Sequence, residues 1–104
     1  MRGRACSARH NIPEPKELIA LFLLGEGKYF FDSDKFPEAL KTLEKILADC
    51  KNTDAVPEAI YLRGVSQYKN TGDPLPLKAA YEILSKDFPN GEWTKRAYPY
   101  RLIG

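Results

Sequence analysis

The stretch from Pro57 to Pro89, PEAIYLRGVSQYKNTGDPLPLKAAYEILSKDFP, leaves few folds open. It holds two amphipathic segments joined at Asn70-Thr71-Gly72-Asp73-Pro74, where a Gly ends one helix and an Asp followed by Pro starts the next. That is a helical hairpin. Ile60, Gly64 and Tyr68 recur at helical spacing in the first arm, and Leu77, Ala80, Tyr81, Leu84 and Phe88 in the second, so each arm has one face to bury. Gly64 and Ala80 lie inside the arms, where Gly costs roughly 1 kcal/mol against Ala. Small residues there predict a close approach of the two helices.

A lone hairpin cannot cover its outer faces, so a second copy is expected. Gly27 stands 37 residues before Gly64, and Gly27-Lys-Tyr-Phe30 leads into Phe36-Pro-Glu-Ala39 and then Leu43, Ile46 and Leu47. Aligned on the second arms, Leu43 and Ile46 fall 38 residues before Tyr81 and Leu84. The extra residue belongs to the longer turn at Lys69 to Leu77.

These residues resemble the tetratricopeptide repeat family. Leu23, Gly27, Phe30, Phe36, Ala39, Leu43 and Ile46 fit the pattern in the first copy, and Ile60, Gly64, Ala80, Tyr81, Leu84 and Pro89 in the second. Ile46 and Leu84 are bulkier than the usual Ala, no Pro closes the first copy, and the second copy lacks the aromatic start of its second arm. The resemblance implies an all-α fold: two antiparallel helical hairpins, about 20–52 and 57–89, plus a capping helix at about 90–102, a fragment of a right-handed α-solenoid. A narrower resemblance, carried by PEAIYLRGVSQYK, GDP and DFPNGEWTKRA, is to the helical segment that follows a thioredoxin-like domain in some bacterial redox proteins. It implies an accessory domain without its catalytic partner.

The family's inner groove is lined by the residues of each first arm that turn away from the second arm. By position these are Leu21, Leu24, Lys28, Phe31 and Asp32 in the first repeat, and Glu58, Tyr61, Val65, Tyr68 and Lys69 in the second. The mixture of Leu, Phe and Tyr with a rim of charge suits an apolar peptide or helix. Of the Lys and Asn residues by which some family members hold a C-terminal carboxylate, only Lys28 is present. The same apolar residues are equally suited to being covered by the fifth helix, by the N-terminal segment or by a second copy of the chain, a homodimer.

The expected helix boundaries follow from local signals. A first helix runs from Glu14-Pro15 to Asp32-Ser33, with acid and Pro in its first turn. Its centre, Leu18-Ile-Ala-Leu-Phe-Leu-Leu24, is apolar all round, which predicts burial on more than one side. At seven residues the run is far short of the roughly 20 that cross a bilayer. A second helix starts between Asp34 and Pro37 and turns Phe36, Ala39, Leu40, Leu43, Ile46, Leu47 and Cys50 to one face. Asp54 and Pro57 open a third. Asn90 is the expected N-cap of the fifth helix, whose Trp93, Ala97 and Tyr100 lie over the second hairpin. Pro99 limits its regularity.

Arg2, Arg4 and Arg9 occupy an acid-free start, and the remaining 13 basic and 14 acidic residues leave the body nearly neutral. Residues 1–13 show no apolar periodicity and are expected to be a disordered tail ahead of a single domain over 14–104. They lack an apolar secretory core, which favours a cytoplasmic location. Without a basic stripe or a stacking platform in the body, nucleic-acid binding is not expected.

Catalytic constellations are missing. The only His, His10, lies in the tail with Cys6, and no second pair of zinc ligands follows. Gly25-Glu-Gly27 lies within the first helix and predicts close packing rather than phosphate binding. Cys50 is placed as a small core residue; a redox role would require a neighbouring domain. The expectation is a protein-interaction or assembly module with no catalytic residues, metal site or cofactor. The alternatives are an accessory domain of a thiol redox protein and a self-associating structural unit.

Overall fold

Proline opens four of the helices in this computed structural model, which describes residues 15–103. Helix α1 (Pro15–Asp32) begins on Pro15, and α2 (Phe36–Asp49), α3 (Val56–Thr71) and α4 (Leu75–Asp87) carry Pro37, Pro57 and Pro76 at their second positions. The first turn of a helix has no intrahelical use for its N–H groups, so Pro fits there without losing a bond. The chain ends in a short α5 (Glu92–Ala97) and a 3-10 turn (Tyr98–Leu102). All these elements are helical, and the described residues include no strand.

The two hairpin turns are closed by residues suited to left-handed backbone. Between α1 and α2, Asp34 has φ 61°, a region in which Asp is among the few tolerated non-glycine residues. Between α3 and α4, Gly72 has φ 80° and its N–H reaches the Tyr68 carbonyl at 2.7 Å. The Asp73 carboxylate then accepts the Leu75 N–H at 3.0 Å, an Asx turn that leads the chain into α4.

Packing follows chain order. Helix α2 lies between α1 and α3, α3 between α2 and α4, and the terminal segment rests on α4 and α3. The envelope is 51 × 28 × 19 Å, so the shortest dimension spans about two helix diameters. One core cluster joins Leu23, Leu24, Leu43, Ile46, Cys50 and Leu62, and a second joins Val56, Ile60, Ala80, Leu84 and Ala97. Leu47 and Tyr61 touch both. Leu43, Ile46 and Leu84 are fully buried, each contributing about 1.5–3 kcal/mol by transfer from water.

The glycines at the repeat spacing sit at the closest contacts. A Cβ on Gly27 would stand 3.0 Å from Leu43 Cδ2, and one on Gly64 would stand 2.8 Å from Ala80 Cβ and 3.0 Å from the Pro76 carbonyl oxygen. In both hairpins the apposed residue lies sixteen positions on. Gly25 differs from the expectation of close packing: none of the described residues lies within 4 Å of a Cβ built there.

Two further expectations are corrected. Helix α1 is not buried on more than one side: Ala20, Leu23, Leu24 and Gly27 face the protein, while Leu18, Ile19, Leu21, Phe22 and Tyr29 are exposed. Only α2, and the side chains of α3 at its edge, lie against it among the described residues. The fifth helix has the irregularity expected from Pro99. It is α-helical for six residues and continues as a 3-10 turn containing Pro99, whose ring and missing N–H disfavour continuation of the α ladder. Asn90 does not cap it; Gly91, with extended backbone (φ −77°, ψ 154°), holds the N-cap position. The tail at 1–13, with Cys6 and His10, lies outside the described residues.

Candidate functional site: the shared face of α1 and α3

Residues seven and eleven positions apart share one side of a helix. On α1 this places Leu21, Lys28 and Asp32 in one stripe, and on α3 it places Glu58, Val65 and Lys69 in another. The stripes are joined where Lys28 Nζ meets a Glu58 carboxylate oxygen at 2.6 Å. Glu58 is largely covered while Lys28 remains half exposed, so this pair fixes the spacing of the helices more than it adds stability. A second tie lies at the start of α3, where both oxygens of Glu17 accept the Asp54 N–H at 3.2 and 3.3 Å.

Apolar side chains lie elsewhere along the same two helices. Leu21 is 57% exposed on the α1 side and Tyr68 is 40% exposed on α3, with Val65 half-buried on the same helix as Tyr68. Asp32 and Lys69 are exposed at the C-terminal ends of the stripes. Seven of the ten residues expected to line a groove are therefore on the open side of α1 and α3.

The other three have different roles. Leu24 is 7% exposed and belongs to the first core cluster with Ala59 and Leu62; the α1–α3 seam closes over it. Phe31 is half-buried and packs edge-on against Phe36, ring centroids 5.6 Å apart, bracing the α1–α2 turn. Tyr61 is covered by the terminal segment. Its ring lies 5.2 Å from Trp93 and 6.1 Å from Tyr100, and its hydroxyl shares a 3.3 Å hydrogen bond with that of Tyr100 in which either group can donate. Burial first, then the hydrogen bond to Tyr61 and its charge, pushes the Tyr100 hydroxyl up to about 12.

The terminal segment is held by a residue that apolar periodicity does not reveal. Thr94 is buried, and its hydroxyl approaches the Phe88 carbonyl at 2.5 Å and the Leu84 carbonyl at 3.2 Å. Both carbonyls also accept a backbone N–H, Leu84 from Phe88 at 2.8 Å and Phe88 from Gly91 at 2.9 Å, so the hydroxyl adds a further donor where α4 meets the terminal segment. Because α5 is so short, about 9 Å, the segment covers α3 at Tyr61 and leaves Tyr68 in water.

Comparison with protein-family models, with curated proteins and with solved structures finds no match. The ion pair is mutually neutralised, and the other residues of this face are aliphatic, aromatic or singly charged. Cys50 is 2% exposed, reduced and inside the first core cluster, away from this surface. Among the described residues no three His, Cys, Asp or Glu side chains gather as a metal site, and no helix is long and apolar enough to cross a membrane.

Proposed function

We propose that the chain is a non-catalytic protein-interaction module of the tetratricopeptide kind, holding an apolar peptide or amphipathic helix of a partner protein on the shared face of α1 and α3. The observation that carries this reading is the exposure of Leu21 on α1 and Tyr68 on α3, the two helices that the Lys28–Glu58 pair ties together. Apolar anchors on two helices tied by a charge pair are what a short segment with alternating apolar and polar residues needs. The repeat reading is supported by the matched contacts Gly27–Leu43 and Gly64–Ala80, in which the same offset recurs in both hairpins.

Selection from a random-peptide display library tests the proposal. The expected outcome is enrichment of peptides with two or more large apolar residues, whose affinity falls about tenfold, 1.4 kcal/mol, in Val65→Arg and in Tyr68→Ala. Selected peptides that bind these variants as tightly as the unaltered chain would place the binding surface elsewhere.

A further inference from the structure

The outward face of α1 is a second surface, separate from the proposed groove except at Leu21, and it carries a pattern the groove does not use. Leu18, Phe22, Gly25 and Tyr29 follow one another at spacings of four, three and four, the alternation that lines one seam of a helix packed against another helix. Phe22 is 67% exposed, Tyr29 63% and Leu18 51%. With Ile19 and Leu21 these side chains leave on the order of 500 Å² of apolar surface in water, at the upper end of what a monomer normally carries and approaching the ~800 Å² per partner of a standard interface. Between them lies an open depression of about 500 Å³ lined by Leu21, Phe22, Gly25, Glu26, Tyr29 and Phe30.

Gly25 is the informative residue. It sits in the interior of an 18-residue helix, where Gly weakens the helix, yet none of the described residues approaches within 4 Å of where its Cβ would be. Gly27 and Gly64 both admit a neighbouring helix; Gly25 leaves the same kind of gap on a face that no other part of the described chain covers.

We infer that this face is a two-fold interface with a second copy of the chain, in which α1 packs antiparallel to the partner's α1. An axis crossing α1 between Leu23 and Leu24 sets Phe22 against the partner's Gly25 and Leu18 against the partner's Tyr29, and by symmetry the reverse. The largest exposed ring on the seam thus enters the one gap, twice, and the patch is complementary to itself as a closed two-fold contact requires. Glu26 falls opposite the partner's Leu21 at the rim, so no like charges are apposed. Residues 1–14 are a poorer occupant: Met1 and Ile12 are their only large aliphatic side chains, against three arginines.

The test is the solution mass of the full chain under reducing conditions, by sedimentation equilibrium across a hundredfold concentration range, with Phe22→Glu, Gly25→Leu and the distant exposed Leu102→Glu. The expected result is a species at twice the 11.8 kDa chain mass, weakened at least tenfold by Phe22→Glu and by Gly25→Leu and unchanged by Leu102→Glu. Gly25→Leu is the discriminating variant, because none of the described residues lies within 4 Å of a Cβ at this exposed position and its melting temperature at the lowest concentration is expected not to fall. A monomer at every concentration, a mass that grows without limit, or a dimer indifferent to both α1 variants would overturn the inference.

Discussion

Glycine at three positions within helices meets three different surroundings, and the consequences of adding one methyl group differ accordingly. At Gly64 an Ala would gain helix propensity, but its Cβ would lie 2.8 Å from Ala80 Cβ and 3.0 Å from a backbone oxygen, neither of which is a flexible group that can yield. Overpacking of this kind costs about 1–3 kcal/mol, so Gly64→Ala is expected to lower stability to urea despite the roughly 1 kcal/mol favouring Ala. Gly25→Ala meets no atom of the described residues, and in dilute, dissociated chain it is expected to raise stability by about 0.5–1 kcal/mol. Gly27 is intermediate, since the atom it meets is the movable end of Leu43. Thr94 supplies the other residue-scale test. Thr94→Val keeps the shape but removes the hydroxyl that bonds the Leu84 and Phe88 carbonyls; both keep their backbone donors, so the expected loss is that of a net hydrogen bond, about 0.5–1.5 kcal/mol. Urea denaturation of the three variants, followed by circular dichroism, measures these effects.

At the scale of elements, what was legible in the sequence depended on whether a helix signals its own ends and face. The α3–α4 hairpin was readable because Gly72, Asp73 and Pro74 define its turn chemically, and α1 because Pro15 and its acids mark its start. The terminal segment was less readable: Trp93, Ala97 and Tyr100 announce an apolar face, but the stop at Ala97 and the docking by Thr94 depend on contacts with α4. In the groove, positional transfer cannot tell a lining residue from one over which a seam closes, as at Leu24, and Tyr61 is covered by the fifth helix, one of the covers its position left open. The outward face of α1 was misread for a related reason. An all-round apolar run signals demand for cover, not its supply, and the spacing of Leu18, Phe22, Gly25 and Tyr29 was the signal that marked one side as separate.

The docked terminal segment also has a pH dependence of definite sign. Folding raises the Tyr100 hydroxyl to about 12, above the ~10 of a tyrosine in an unfolded chain. The folded state therefore holds this proton more firmly. Whatever stability the neutral phenol contributes is intact below pH ~10 and is lost as pH rises through about 12. Thermal melts between pH 9 and 12 are expected to fall more steeply for the unaltered chain than for Tyr100→Phe, which has no proton to lose. Equal slopes would mean that the Tyr61–Tyr100 contact does not form in solution.

For the whole molecule, sequential packing has one main consequence: each helix pair contributes to a continuous core, while the first arms of the hairpins present a common side. The Lys28–Glu58 bond links those arms, and the exposed residues along them form the surface on which the proposed function rests. Its most direct test is to map a bound peptide from the display selection by titrating it into isotopically labelled chain and following amide and methyl shifts. The account predicts shifts concentrated at Leu21, Asp32, Val65, Tyr68 and Lys69, with α2 and the Tyr81–Tyr98 side unchanged. Shifts centred on α2 or on Tyr81 and Tyr98, with Val65 and Tyr68 silent, would contradict it.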